Sequence, residues 1–372
     1  MPHKSRRYVP VLIAFLAIGF IVFEFRHSAT LKKFNWGMVA ESLRHANLSL
    51  LLLAIFAIYV CYAIRALRWM QFSRTLGPSH FWNVYNATLM GFTSMFLLGR
   101  AGEPIRPVLI AKKDSLPVAG MFGVFFLERI ADIAATAVLA GLALVLFHGR
   151  GLENDRNAHL MTFAGSIGRL LLYGLLVVIA LLVYFRFHGA QLLSKVLRNP
   201  QWRTGWREKI VVIVEGFSEG LQGIRTWYDL FMLVLYTTIH WVLVAFVYLW
   251  VAHAFGGSLA KLDIAGALLV LAFALVGSVA QLPGVGGGAQ ASTILVLTLI
   301  FGVEQEPAVT VAMVVWLVSF ASCCLVGLPL MLREGWSMGE LKRMVREQEK
   351  AGEAVLLADA EQHPGRPEER PH

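Results

Sequence analysis

Eight charged side chains stand where the chain is otherwise apolar: Arg65, Arg68, Arg100, Glu103, Arg106, Glu128, Arg129 and Asp132. Three of them, in FFLERIADIAATAVLAGLALVLF, fall about twelve residues into a hydrophobic run, and Glu128 and Asp132 are spaced i, i+4 on one helical face. An Asp or Arg near the centre of a membrane helix costs about 2.5 to 3.5 kcal/mol, so three together must face protein or water and be paired. Arg65 and Arg68 in CYAIRALRWMQF, themselves three apart, are candidate partners, as are Arg100 and Arg106. The chemistry open to such a set is the grip of arginines on an anion, with carboxylates balancing them when the site is empty. A purely structural ion-pair network is the alternative.

The second stretch is LLGRAGEPIRPVLIAKK, Leu97 to Lys113. Arg100, Glu103 and Arg106 follow at intervals of three, while Gly99, Gly102, Pro104 and Pro107 interrupt any continuous helix. The result is a net positive turn, and exposed N–H groups at the start of the following half-helix add to its attraction for an anion. A loop whose charges only set topology would look the same. The third stretch, VGSVAQLPGVGGGAQAS, places Pro283, Gly284, Gly286, Gly287 and Gly288 between Gln281 and Gln290. These glycines deny the chain a helix and let backbone approach closely, with Gln281 and Gln290 as flanking polar groups. No GxxxxGK[ST] is present and no strand–helix context surrounds the glycines, so a nucleotide phosphate loop is a poor reading.

Other chemistry finds no residues to carry it. There is no GxSxG, no HExxH and no zinc spacing, and no cofactor or metal is expected. The three cysteines, Cys61, Cys323 and Cys324, lie in apolar runs and read as packing residues. His240, alone in TTIHWVLVAFVYLW, reads as a helix-packing histidine, with a proton relay as its alternative.

The elements that must position these residues are set by composition. The chain is 57% hydrophobic and 15% charged, with mean hydropathy +0.63, against roughly 25% charged residues in a soluble domain. The expectation is an all-α integral membrane protein. Its net charge of +9 resides mainly in loops and tails, where it serves topology and lipid contacts, not nucleic acid. Apolar segments recur at 8–25, 48–72, 81–99, 117–147, 168–185, 229–253, 262–282, 289–302 and 307–332. That gives about eight membrane segments, of which 289–302 rises only about 20 Å as a helix and cannot cross ~30 Å alone. KSRR precedes the first run, which is too long for a signal peptide h-region and reads as an uncleaved span.

Lys and Arg bias puts both termini on the cytoplasmic side, although Arg26, Lys32, Lys33 and Arg44 fall in an outer loop. Residues 81–116 and 262–302 must then each leave and return to one face, as two re-entrant hairpins entering from opposite sides. Irregular backbone at membrane depth survives only beside protein or a wet cavity, so the hairpins imply a shared interior site, in the manner of inverted-repeat carriers. No internal sequence repeat is evident, and the symmetry is an expectation from topology alone. Residues 1–333 form the membrane domain. Within it 186–228, rich in Trp and Arg, reads as a cytoplasmic interfacial segment or an ordinary solvated loop. Residues 334–372 read as a cytoplasmic tail, disordered at its end.

Taken together, GRAGEPIRPVLIAKK, LERIADIAATAVLAGLAL and LPGVGGGAQASTILVLTLIFGV, in that order and followed by one more span, resemble the lysylphosphatidylglycerol synthase transmembrane (flippase-like) family. The likeness runs from about Ala40 to Arg333. It implies a polytopic protein of the bacterial cytoplasmic membrane, whose relatives move aminoacylated phosphatidylglycerol between leaflets or serve hopanoid and polyprenyl-phosphate sugar pathways. The matching positions are Gly99, Arg100, Gly102, Glu103, Pro104 and Arg106, then Glu128, Arg129 and Asp132, then Pro283, Gly284, Gly286 and Gly287. Gln290 stands where many relatives have Glu, which removes a carboxylate for a cationic headgroup. The short tail after Arg333 is too short for an aminoacyl-transfer domain, so the expectation is a stand-alone member without the synthase.

The function expected is movement of an anionic phospholipid or polyprenyl-phosphate-type lipid across the membrane, without catalysis. The partners expected are membrane lipids, and a homo-oligomer is compatible with the sequence. Two alternatives stay open. One is a non-transporting accessory protein of a lipid or envelope-glycan pathway; the other is an enzyme acting on a lipid phosphate with Glu128 or Asp132 as base.

Overall fold

In the computed structural model, residues 36–148, 173, 223, 226–278, 281–282 and 286–335 are described. The expected span at 8–25, all of that at 168–185 except Tyr173, most of the interfacial segment 186–228, nearly all of the tail 334–372, and Pro283 and Gly284 lie outside the described residues. Those described are almost wholly helical. A short helix, α1 (Trp36–Arg44), precedes the long α2 (Leu48–Ser73), which Asn47 starts by accepting from the N–H groups of Ser49 and Leu50. Then come α3 (Phe81–Leu98), a 3₁₀ turn (Gly99–Gly102), α4 (Ile105–Asp114) and α5 (Val118–His148). The second half repeats the order. It contains α6 (Trp227–Ala254), α7 (Ile264–Gly277), α8 (Gly288–Leu299), α9 (Gln305–Trp316) and α10 (Cys324–Arg333).

Among the described residues three helical stretches are long and apolar enough to cross a membrane by length and composition: Leu48–Ser73, Trp227–Ala254 and Gln305–Arg333. The 31-residue α5 has the length as well, but carries Glu128, Arg129 and Asp132. By contrast α7 and α8, at 14 and 12 residues, rise only about 21 and 18 Å. Neither reaches across ~30 Å of hydrocarbon.

Contacts at the helix ends define two faces. On the first, Asn47 N donates to Ala254 O at 2.7 Å and the His253 ring lies 2.6 Å from Leu262 O, so the start of α2, the end of α6 and the approach to α7 are neighbours. On the second, Arg74, after α2, pairs with Asp229, near the start of α6, at 2.8 Å. Beside them Asp114, at the end of α4, accepts from His80 N and Asn83 Nδ2 at the start of α3. Hairpin α3–α4 therefore begins and ends at the second face. Hairpin α7–α8 begins and ends at the first, because a Cβ at Gly266, in the first turn of α7, would lie 3.0 Å from Phe301, just beyond α8.

The tips of the two hairpins meet in between. The 3₁₀ turn Gly99–Gly102 lies against Gln281–Leu282, with Cα atoms within 8 Å. Long helix, hairpin, long helix thus occurs twice, the second time upside down: α2, α3–α4, α5 and then α6, α7–α8, α9–α10. The inverted repeat expected from charge bias is present as topology. Each hairpin also packs on the other unit's closing span, α3 on α10 and α7 on α5, while α2 and α6 run side by side.

Small residues make these approaches. A Cβ at Gly102 would stand 2.3 Å from Ser94 O, one at Gly277 2.3 Å from Gly288 O, and one at Gly327 2.0 Å from Thr93 Oγ1. Only glycine lets the backbones come so near, the usual device of helix association in lipid. Apolar side chains fill two cores, one around Val247, Leu269, Leu271, Leu297 and Val311 nearer the first face, the other around Trp69, Met90, Leu109, Met121 and Leu127 nearer the second.

Two details depart from the sequence reading. The glycine-rich tip is not featureless: Gln281 and Leu282 pair antiparallel with Gly287 and Gly286, and Gly288 already belongs to α8. The last span is not one regular helix. A π-helical turn at Leu317–Ala321 joins α9 to α10, with Ser322 N donating to Leu317 O at 2.9 Å. Two tyrosines of α2 take up carbonyls around this turn, Tyr62 OH donating to Ser319 O at 3.0 Å and Tyr59 OH to Ser322 O at 2.7 Å. A π-turn leaves carbonyls short of partners, and these hydroxyls supply them.

Candidate functional site

Glu128 is fully buried, about 15 Å along α5 by helical rise. Its Oε1 accepts from Arg65 Nη1 at 2.8 Å and Arg68 Nη2 at 2.7 Å, and its Oε2 from Arg106 Nη2 and, at 3.4 Å, Arg129 Nη2. One turn on, Asp132 Oδ1 accepts from Arg68 Nη2 at 2.9 Å, and Oδ2 lies 3.2 Å from both Arg65 Nη2 and Arg129 Nη2. The i, i+4 and i, i+3 spacings on α5 and α2 thus bring two acids against two arginines across a helix pair. Arg106 arrives from the re-entrant α4.

Local structure explains how Arg106 reaches so deep. Gly99, at φ 66°, ends α3 in a conformation that disfavours side-chain-bearing residues. Pro104 then stands at the start of α4 and Pro107 in its first turn, where a missing N–H costs nothing. The returning helix is pressed on α3 at Gly91, and the Arg106 guanidinium lies 4.4 Å from the Trp69 ring centroid and 5.6 Å from that of Phe92. Arg65 also lies over Phe92, at 5.4 Å. Cation–π contacts of desolvated guanidiniums contribute about 2 kcal/mol and partly offset their burial.

The sequence offered Arg65, Arg68, Arg100 and Arg106 as candidate partners of the buried charges without choosing among them. Arg65, Arg68, Arg106, Glu128, Arg129 and Asp132 are brought together, and Glu103, on the hairpin turn, sits 3.9 Å from Arg129 Nη1. Arg100 is in the 3₁₀ turn that abuts the second hairpin. Gln290 holds that second tip together, its Oε1 accepting from Gly287 N at 2.7 Å. Gly287 itself sits at φ 142°. Sequence reasoning missed Thr237, which accepts from Arg68 Nη1 at 3.1 Å, and the aromatic walls Trp69 and Phe92. A hydroxyl in the apolar α6 and an aromatic next to Arg68 were the signals available. His240 is one turn from Thr237, buried against Trp241 at a centroid distance of 5.2 Å.

The charge does not balance. Among the described side chains four guanidiniums, Arg65, Arg68, Arg106 and Arg129, meet three carboxylates, Glu128, Asp132 and Glu103. Replacing buried ion pairs by well-packed apolar groups is commonly neutral or stabilising, so stability alone gives no reason for this assembly. What it can do is hold an anion below the membrane surface. Among the described residues no group of three or more His, Cys, Asp or Glu is placed to hold a metal.

Long apolar helices, two opposed half-crossing hairpins and buried charge where they meet define a multi-pass helical membrane protein of inverted-repeat build. The chain belongs to the family of the lysylphosphatidylglycerol synthase TM region, whose model matches residues 9–327. That family ties it to lipid metabolism or flipping. No curated protein and no solved structure matches it.

Proposed function

We propose that this protein is a lipid translocase that carries an anionic headgroup, on a phospholipid or a polyprenyl-phosphate-type lipid, across the cytoplasmic membrane of a bacterium. The observation that carries this is the surplus of buried arginine at a site entered by a hairpin from each face. The headgroup replaces the water it leaves with guanidinium donors, while its tails stay in the bilayer. Glu128 and Asp132 keep the empty site from holding four unopposed cations. The turn bearing Arg100 and Glu103 and the glycine tip around Gly286 and Gly287 are the parts that reshape as the headgroup passes. No bond is made or broken, and the cargo is the lipid itself.

Orientation follows from charge. Arg74, Lys112, Lys113 and Arg333 lie toward the second face, whereas Arg44 and Lys261 accompany Asp263, Glu304 and Glu306 toward the first. By the positive-inside rule the second face, with the end of the last helix at Arg333, is the cytoplasmic one.

The test is headgroup movement in vesicles reconstituted with the purified protein, read by quenching of a headgroup-labelled anionic lipid. The wild type moves the lipid, and Arg106→Ala and Arg129→Ala lose at least about tenfold in rate while eluting as folded protein. Wild-type protein that moves no lipid but forms stable complexes is an accessory protein. Product formed from a lipid phosphate in detergent, where no leaflets exist, makes it an enzyme.

A further inference from the structure

Arg68 is the most enclosed arginine of the cluster, and two helices hold it from different sides. Its Nη2 donates to Glu128 Oε1 at 2.7 Å and to Asp132 Oδ1 at 2.9 Å, both on α5. Its Nη1 donates to Thr237 Oγ1 on α6 at 3.1 Å. A guanidinium is planar, so two nitrogens held in this way fix the plane and with it the direction of the remaining N–H. That group, Arg68 Nε–H, is buried and has no partner. It lies on the same edge of the plane as Nη2, and this two-nitrogen edge is suited to grip an oxyanion side-on.

Thr237 is buried where α6 runs beside α2. One turn on, Cys61 Sγ of α2 lies 3.8 Å from His240 O, so sliding α6 along α2 would part both contacts. For packing alone valine has nearly the same shape and no hydroxyl to bury. The hydroxyl is accounted for by what it holds. A buried guanidinium N–H left unmade is costly, and an oxygen of an arriving headgroup supplies the acceptor that Nε lacks.

Resting on the anion-site reading above, we infer that Thr237 is a positioning residue for the cargo: by holding Arg68 Nη1 it presents Arg68 Nε–H, already oriented, to an oxygen of the headgroup. The second unit thereby contributes to a site whose arginines lie on α2, α4 and α5. A side chain ordered beforehand loses less freedom when the anion arrives. Without the hydroxyl the plane can turn, Nη1 joins Nε as an unmade donor, and the headgroup must order both.

The experiment measures binding of dioctanoyl phosphatidylglycerol to the full-length protein in detergent by tryptophan-fluorescence titration, with inorganic phosphate as a second probe. Thr237→Val keeps the volume and deletes the acceptor, and its affinity for the lipid should fall roughly tenfold. Thr237→Ser keeps the acceptor and should stay within about twofold of wild type. Thr237→Cys, with a much weaker acceptor, should fall between, and it takes the place of valine if that variant does not fold. Arg68→Lys, which has no Nε–H and no fork, should itself bind roughly tenfold more weakly, and adding Thr237→Val to it should cost little more. Valine or cysteine binding like wild type, or serine binding as weakly as valine, overturns the positioning role. Additive losses in the double variant overturn its action through Arg68. Wild-type protein that binds neither probe overturns the anion site itself, and inorganic phosphate bound as tightly as the lipid, with the same response to the Thr237 variants, upholds the positioning role and overturns the lipid cargo.

Discussion

A Cβ built on Gly91 would stand 2.6 Å from the Cβ of Arg106. The half-helix that carries Arg106 down to Glu128 is therefore seated directly on α3, with no space for even a methyl group. Position and charge are coupled at this point: the arginine reaches the buried acid because the residue facing it has no side chain.

Gly91→Val should accordingly lift α4 off α3 and withdraw Arg106 from Glu128. Overpacking of this size costs about 1 to 3 kcal/mol. The expected outcome is a modest fall in the detergent melting temperature and loss of lipid movement well beyond what the lost stability explains. Gly91→Ser, also clashing but smaller, should fall between. Full transport by the valine variant would mean that Arg106 need not touch Glu128.

Glu128 meets all four arginines of the group, so removing it should be worse than removing any one of them. Glu128→Leu leaves Arg65, Arg68 and Arg106 buried against a single acid, Asp132, and breaking a buried pair in this way costs about 3 to 5 kcal/mol. Little folded protein is expected from this variant. Replacing Arg106 by Leu as well removes one of the uncompensated charges and should recover a substantial part of the stability, measured by chemical denaturation. Additive losses in the double variant would show that the two side chains are not energetically coupled.

Part of this arrangement was open to sequence reading and part was not. The spacing of Glu128 and Asp132, and of Arg65 and Arg68, follows from one helical period, so each pair could be assigned to a face. The hairpins could be placed because Gly99, Pro104 and the glycines at 286–288 interrupt apolar runs too short to cross. The pairing of Arg106 with Glu128 depends instead on Gly91, fifteen residues before it in the chain, and a helical glycine in sequence says only that something comes close. The π-turn at Leu317–Ala321 leaves no periodic trace, since it adds one residue to a run that is apolar on every side. It becomes intelligible only once Tyr59 and Tyr62 are seen meeting its carbonyls.

The two faces assigned by helix ends can be tested without a transport assay. Lys112, at the end of α4, and Lys261, before α7, should lie on opposite sides of the membrane. In intact cells a membrane-impermeant maleimide should label Lys261→Cys readily and Lys112→Cys only after permeabilisation. Cys61 and Cys323 are buried and should add little background. Labelling of both from outside would break the opposed-hairpin topology and the inverted repeat with it.

On the proposed function, the second hairpin would serve passage of a headgroup and not its binding. Arg65, Arg68, Arg106, Arg129, Glu128 and Asp132 all lie on α2, α4 and α5, and none comes from α7 or α8. Yet the α7–α8 tip rests on the turn that begins the return to Arg106. A Cβ at Gly277 would lie 2.3 Å from both Gly288 O and Ser292 Oγ, so Gly277→Val must splay that tip. The arginine cluster should survive, and the variant should bind an anionic short-chain lipid within about threefold of wild type, a change worth well under 1 kcal/mol. If lipid movement requires the two tips to part and rejoin, it should fall by more than tenfold. Equal loss of binding and movement would place α7 and α8 in the binding site itself, and no loss of either would remove the second hairpin from the path.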